Sequence, residues 1–372
     1  MLKLGVIVNA EIDEINRIIL IHRKQIYNNQ MYRITVMPTL DCNFNCWYCY
    51  EEHSKEKMSG SIQKAILKHI RQVLDENNLK LLSLDWFGGE PLLYFNDVVY
   101  SLSSKIKREC EKHSVSFTNG ITTNGALITN DMLKKLNSIA LFSYQITLDG
   151  HELHHNQVKK TSLSHNEYRN ILNVLFNLCE SIEKLTLLVR INYSPKNIDN
   201  IHKIIDDIPI KYRDKMSISF QQVWQTQHES LDLKIKSIIE KFIAAGFRIE
   251  KPNIENAFHK CYADVINQVV ITPNGDVFKC TARDFINHKP DGILQNDGSI
   301  EWHAPYYNRL SKTTIEYEKC YDCKVLPACW GPCSQKLLEY QKGDFEKICN
   351  INGVEKTIEN MMADFYETRI IG

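Results

Sequence analysis

Three cysteines fall within one short run, Asp41-Cys42-Asn43-Phe44-Asn45-Cys46-Trp47-Tyr48-Cys49-Tyr50, a CxxxCxxC spacing. Three thiolates in one loop can hold three irons of a [4Fe–4S] cube and leave the fourth iron without a protein ligand. An open position is what a metal site needs to bind and transform a small molecule, whereas structural sites are closed. Tyr48, before the last cysteine, can lie beside whatever binds there. A zinc loop is the alternative, with His53 as the nearby fourth ligand.

Seven more cysteines lie after residue 260. Cys261 is followed by thirteen residues, Gly275, four residues and Cys280; then come Cys320-x2-Cys323-x5-Cys329-x3-Cys333 and Cys349. Taken alone, Cys320-x2-Cys323 can be half a zinc finger, but two all-cysteine zinc sites need eight ligands and only seven are present. Thr272-Pro273-Asn274-Gly275-Asp276 reads as a tight hairpin turn that brings Cys280 back toward Cys261. The last two of the twelve cysteines, Cys110 and Cys179, sit on apolar helix faces and read as small buried hydrophobes. Such segregation fits metal clusters in two separate regions rather than disulfides.

The elements that position these residues alternate. Strands are expected at Tyr32–Met37, Leu81–Phe87, Ser116–Thr123, Leu141–Leu148, Leu185–Asn192 and Ser217–Val223. Helical spacing falls between them, as in Ile62, Ala65, Ile66, Ile70, Val73 and Leu74, and again over 96–113, 131–138, 165–179, 197–208 and 231–245. Six strand–helix units in succession imply a parallel sheet, for which an open barrel is the natural closure. The special residues fall just after strands, the barrel face where active sites are built. Gly88-Gly89-Glu90-Pro91, Thr122-Thr123-Asn124-Gly125 and Thr147-Leu148-Asp149-Gly150 end strands two to four. The glycine pair lets backbone approach a ligand, and Glu90 can accept from an ammonium group. Arg190 and Asn192 alternate on strand five, and a charged residue in an apolar strand needs a partner.

At 372 residues the chain suits two domains, and 43% hydrophobic with 24% charged residues is a globular balance. Zero net charge argues against a large nucleic-acid footprint. The N-terminus lacks a secretory pattern and no apolar run reaches membrane-spanning length, so a cytoplasmic protein is expected, with neither nucleic acid nor membrane as partner.

Together these segments resemble the radical S-adenosylmethionine (SAM) enzymes. The resemblance covers about residues 32–349. It implies that the open iron chelates the amino and carboxylate groups of SAM, and that the reduced cluster cleaves SAM to methionine and a 5′-deoxyadenosyl radical. It places Gly88, Gly89, Glu90 and Pro91 at the SAM amino group, and Thr123, Asn124, Thr147 and Asp149 around the ribose and methionine. Arg190, with Asn192, becomes a partner for the SAM carboxylate; a structural salt bridge is the alternative. In many peptide-modifying relatives the Leu-Asp-Gly segment runs on to a His-Asp pair and an arginine; here stand His155-Asn156 and Lys159-Lys160.

The distal cysteines resemble the SPASM module of radical SAM peptide maturases, which holds two auxiliary [4Fe–4S] clusters. The resemblance assigns Cys261, Cys280 and Cys333 to the first, and Cys320, Cys323, Cys329 and Cys349 to the second. Relatives that carry a further cysteine six residues after the first one differ here, where Asn267 stands. The implied fold is a partial (β/α)6 TIM-like barrel with a C-terminal SPASM domain. Its expected boundaries are an N-terminal extension over 1–31, the barrel over 32–225, a linker over 226–260 and the SPASM domain over 261–372. The implied cofactors are three [4Fe–4S] clusters and SAM, and the implied partners are a precursor peptide or protein and an electron donor such as flavodoxin or ferredoxin.

Formylglycine-forming relatives carry an aspartate directly after the second auxiliary-cluster cysteine; here that residue is Thr281, with Asp284 three further on. The expected activity is therefore the other large branch, maturation of a ribosomally made peptide, with carbon–carbon or thioether crosslinking first. Formylglycine formation, epimerisation, small-molecule cofactor assembly and a non-catalytic zinc module are the alternatives. Anaerobic reconstitution is expected to load about twelve irons. Replacing Cys42, Cys46 and Cys49 together by Ala removes about a third of that iron and all SAM cleavage; two tightly held zincs without sulfide contradict the expectation.

Overall fold

The computed structural model describes residues 9, 11–76, 78–160, 166–227, 230–250, 261–311, 314–340, 348–349 and 358–359. Its centre is an eleven-stranded sheet. Strands β1 (Met31–Val36), β2 (Leu81–Trp86), β3 (Ser116–Thr123), β4 (Leu141–Leu148), β5 (Thr186–Tyr193), β6 (Met216–Gln222) and β7 (Arg248–Ile249) follow one another in space as in sequence. All six pairings among them are parallel. Ile34, Leu82, Leu84, Ile146, Val189, Ile191 and Ile218 are buried, as strands covered on both faces require.

Helices fill the crossovers: α2 (Gly60–Glu76) after α1 (Glu14–Ile26), then α3 (Ser101–Lys112), α4 (Asn130–Ser138), α5 (Glu152–Val158), α6 (Glu167–Ser181), α7 (Ile204–Asp207), α8 (Ile210–Arg213) and α9 (Asp232–Ala244). The expected strands appear within a residue or so, and Cys110 and Cys179 are buried as expected. Two expected helices are built differently. The segment before α3 is a π turn, Phe95–Tyr100, and Ile198–Lys203 winds as 3-10 before α7. The helix expected from His165 begins, among the described residues, at Glu167, because Asn166 caps it by accepting from Arg169 N.

Two features escaped the sequence pattern. Helix α5 is a short helix straight after the Asp149-Gly150 turn, too brief for a period. At the other edge, β8 (Gln268–Ile271), β9 (Asp276–Phe278), β10 (Gly292–Leu294) and β11 (Ile300–Trp302) extend the sheet beyond β1. The expected hairpin turn joins β8 and β9, which pair antiparallel. Met37 N donates to Ile271 O at 2.9 Å, and Met37, Leu40, Val270, Phe278 and Phe285 share one buried cluster. The chain thereby braces the point where it leaves β1 for the cysteine loop.

By compactness the chain divides into residues 30–251 with 269–301, and residues 1–29 with 252–268 and 302–372. These cuts differ from the sequence boundaries at 31, 225 and 260, because strands β8–β11 are built into the sheet. In the second unit α1 is capped by Asp13, which accepts from Asn16 N at 3.0 Å. Ile19 packs with Ile315, Cys320, Leu326 and Trp330, so the N-terminal extension is part of the cysteine-rich core. That unit also holds α10 (Ala304–Leu310), α11 (Leu326–Cys329) and α12 (Ser334–Glu339). Much of the expected N-terminal segment (1–8), linker (251–260) and SPASM C-terminus (341–347, 350–357, 360–372) lies outside the described residues.

Gly275 has φ +92°, and a Cβ there meets Ile62 Cδ1 at 2.9 Å. Gly275→Val is expected to cost about 1–3 kcal/mol through backbone strain, read as a lower urea midpoint at unchanged slope.

Candidate functional site

The cysteine loop leaves β1 and is tied down at each step. Thr39 Oγ1 donates to Glu56 O at 2.6 Å and accepts from Asp41 N at 2.9 Å. Asp41 Oδ1 accepts from Cys42 N, and Cys49 N donates to Cys46 O. Phe44 N points at Cys42 Sγ, 3.4 Å away. Burial pushes the Cys42 thiol up to about 12 and raises Cys46 and Cys49 as well. The sulfurs are therefore protonated until a metal replaces the proton. Among the described residues no three His, Cys, Asp or Glu side chains converge on a single ion. A four-iron cube spaces its thiolates more widely than one ion does. His53, the candidate zinc ligand, directs Nδ1 to Leu40 O at 2.8 Å.

The glycine pair at the end of β2 meets protein rather than open space. Gly88 has φ +101°, and a Cβ there lies 2.5 Å from Thr39 O. At Gly89 it lies 2.2 Å from Asp41 O. Glu90 N donates to that same Asp41 O at 2.8 Å. These glycines dock the second loop onto the cysteine loop.

Glu90 is fully buried and its oxygens are occupied by the chain itself. They accept from Thr123 Oγ1 at 2.8 and 2.9 Å, Asn124 N at 2.8 Å and Leu92 N at 3.0 Å. The last bond caps the 3-10 turn that opens at Pro91. Burial raises the Glu90 pKa, and the amide donors oppose it. Asn124 Nδ2 reaches Asn43 Oδ1 at 2.8 Å and Cys42 Sγ at 3.9 Å. The ends of β1, β2 and β3 are thus one hydrogen-bonded unit.

A second unit joins β4 and β5. Thr147 and Arg190 are register neighbours. Arg190 Nε donates to Asn192 Oδ1 at 3.0 Å and makes no ion pair among the described residues, so its guanidinium is available to an anionic ligand. Asp149 is buried and held by Tyr48 OH at 2.5 Å, by Asn192 Nδ2 at 3.1 Å and by Lys159 Nζ at 3.4 Å. Its backbone N donates to His155 Nδ1 at 3.1 Å, which leaves the His155 proton on Nε2. Burial lowers the His155 pKa to about 3, so the ring is neutral.

Lys159, just past α5, is buried, with Cys46 Sγ 3.9 Å from Nζ and the Phe44 ring centroid at 5.2 Å. Burial works against its charge, but the Asp149 carboxylate, joined by the Cys46 and Cys42 sulfurs once these are thiolates, raises its pKa. Sequence spacing set Lys159 beside His155 but gave no sign that it ends at the cysteines.

In the cysteine-rich unit Cys320, Cys323, Cys329 and Cys349 line one pocket with Lys319, Leu326, Gly331 and Pro332. Cys261 opens the 3-10 turn Tyr262–Asp264 and Cys333 caps α12, while Cys280 follows β9 in the sheet unit.

Residues 36–208 match the Radical SAM superfamily. Among characterised proteins the chain is similar to the radical SAM cyclopropyl synthase TigE of Paramaledivibacter caminithermalis, 25% identical over 352 residues, covering 82% of this chain and 68% of that one. Its fold is similar to that of anSMEcpe with bound S-adenosylmethionine and Cp18Cys peptide (TM-score 0.58, 16% identity, 82% and 89% of the two chains). It is also similar to Streptococcus suis SuiB bound to precursor peptide SuiA (TM-score 0.59, 16% identity, 91% and 83% of the two chains).

Glu90→Ala strips an acceptor from buried donors, each worth about 1–3 kcal/mol when left unmade. Lower thermal stability and weaker SAM binding are expected. Gly89→Val is expected to displace Asp41 and lower iron content, read by iron and sulfide assay, so cluster absorbance falls together with SAM cleavage.

Proposed function

With residues 36–208 forming a radical SAM domain the chain is a radical SAM enzyme, and we propose that it matures a precursor peptide by forming a carbon–carbon bond within it. The family implies one [4Fe–4S] cluster and SAM, and the residues at the β1–β3 strand ends suit them. Cys42, Cys46 and Cys49 would supply the thiolates, and the buried Lys159 beside Cys46 suits an anionic cluster rather than neutral thiols. When bound, the cluster and SAM supply a 5′-deoxyadenosyl radical that abstracts hydrogen from an unactivated carbon.

The chain's own residues take the remaining roles. Arg190 is the cation for the SAM carboxylate, with Asn192 orienting its Nε–H. Glu90 positions the Gly88–Pro91 backbone and Asn124 rather than meeting the ammonium group itself. Thr123 acts through Glu90, and Tyr48 through Asp149. Thr147 lies beside Arg190 in the register. Cys320, Cys323, Cys329 and Cys349 would hold one auxiliary cluster; their shared pocket supports this. Cys261, Cys280 and Cys333 would hold the other, and a flavodoxin- or ferredoxin-like protein would deliver the electrons.

The observation that carries bond formation is the similarity to a cyclopropyl synthase along most of the chain, since closing such a ring makes a carbon–carbon bond and removes a pair of hydrogens. Features of the site support this reading over formylglycine formation. Thr281 stands where a formylglycine-forming relative needs a carboxylate base. The Asp284 carboxylate accepts from Ile286 N, Asn287 N and Asn287 Nδ2 of its own loop and from Glu52 N just past the cysteine loop, at 2.6–3.3 Å. Beside the cysteine loop, exposed Tyr50 stacks on exposed Trp224 at 5.3 Å, a platform suited to a peptide.

A precursor peptide encoded beside this gene is expected to lose a pair of hydrogens per bond formed, with 5′-deoxyadenosine released. Mass spectrometry after incubation with dithionite and SAM reads it. Formylglycine on a sulfatase-type Cys or Ser peptide, with the neighbouring peptide unchanged, overturns the proposal; unchanged mass with deuterium gained from solvent identifies epimerisation instead.

A further inference from the structure

A fully buried lysine needs a reason, because removing an ammonium group from water costs several kcal/mol unless anions and donors replace the water. Lys159 stands against the cysteine loop. Its Nζ is 3.4 Å from Asp149 Oδ2 and 3.9 Å from Cys46 Sγ, and it lies over the Phe44 ring. One carboxylate accounts for part of this arrangement. That carboxylate also accepts from Tyr48 OH and Asn192 Nδ2, so its charge is shared among three donors. The sulfur contact is left over, and a neutral thiol gives a buried ammonium little in return.

We propose that Lys159 is a redox-positioning residue, a fixed cation that donates to the Cys46 sulfur and raises the reduction potential of the cluster held by Cys42, Cys46 and Cys49. The inference rests on the assignment of those cysteines to the cluster. Three thiolates on a four-iron cube give a net negative charge that grows by one on reduction. A nearby cation stabilises the more negative form, and a hydrogen bond to a ligating sulfur acts in the same direction. Low local dielectric strengthens both effects.

The surroundings fix the ammonium in place. Helix α5 delivers Lys159, whose backbone N donates to His155 O at 2.8 Å. The neutral His155 ring in turn holds the Asp149 backbone. Charged and titratable groups facing Nζ are Asp149 from the end of β4, Cys46 and Cys42 from the β1 loop, and more remotely the buried Glu90 from the end of β2. Asp149 opposes the effect of Lys159 on the cluster, but Asp149 is the group that orients it and the ammonium is the group in contact with sulfur.

The test is a redox titration of the full-length reconstituted enzyme, followed by electron paramagnetic resonance. The relevant signal is the one that changes when SAM is added. Lys159→Met removes charge and donor; Lys159→Gln keeps a donor without the charge; Lys159→Arg keeps both. At the parent midpoint the reduced-to-oxidised ratio is expected to fall about tenfold in the Met variant, a shift of about 59 mV for one electron. The Gln variant is expected to shift the same way by less, and the Arg variant to stay near the parent. Met and Gln variants that load full iron and keep the parent midpoint overturn the proposal. Should neither load, the Arg variant decides. Loading with the parent midpoint supports a charge role, and failure to load or a midpoint moved to more negative values overturns it. A SAM-responsive signal that survives Cys42→Ala, Cys46→Ala and Cys49→Ala together shows instead that the cluster assignment has failed.

Discussion

Glu90 is the carboxylate on which this site depends. It has no water to solvate it, and among the described residues its hydrogen bonds come from Thr123 Oγ1, Asn124 N and Leu92 N. Those donors belong to the end of β3 and to the 3-10 turn after β2. The same short segment meets the cysteine loop through Gly88, Gly89 and the bond from Glu90 N to Asp41 O. A buried acceptor of this kind tolerates little displacement, because each lost bond leaves a desolvated group unpaired. Three strand ends are therefore held in register by an interaction that none of them makes alone.

Asp149 plays the corresponding part for β4, β5 and α5. It collects Tyr48, Asn192 and Lys159 around one carboxylate. The two buried carboxylates thus divide the site, one fixing the path of the loop around Cys42 and the other what faces Cys46. Both lie at carboxyl ends of parallel strands, where the backbone leaves the sheet and side chains of successive strands converge. This explains how residues scattered from 41 to 192 act together although no short segment contains more than a few of them.

Much of the fold was legible because parallel strands and their crossover helices write different periods into the chain. The pattern Ile62, Ala65, Ile66, Ile70 belongs to a helix, and the buried run at 82–84 and the alternation over 187–191 belong to strands. Strands β8 to β11 were not legible because they are three or four residues long and owe their place to pairing beyond β1. The packing of α1 on Cys320 and Trp330 was hidden for the same reason, since contacts between residues 19 and 330 leave no local trace. The glycine pair was legible from type and position, whereas its close packing against Thr39 O and Asp41 O was not.

Cysteine spacing and the strand-end motifs carried by themselves the resemblance to enzymes that use a cluster and SAM. Ligand type and short-range separation are local properties, and the eight residues from Cys42 to Cys49 carry them whole. What only tertiary structure decided is which groups stand around those ligands. Lys159 is 113 residues from Cys46, and Glu90 is 34 from Asn124. Nothing in either separation distinguishes a contact from a coincidence. Burial decided it: once Glu90, Asp149 and Lys159 lose their water, each must find its partners in the protein, and the fold brings them the ones found here.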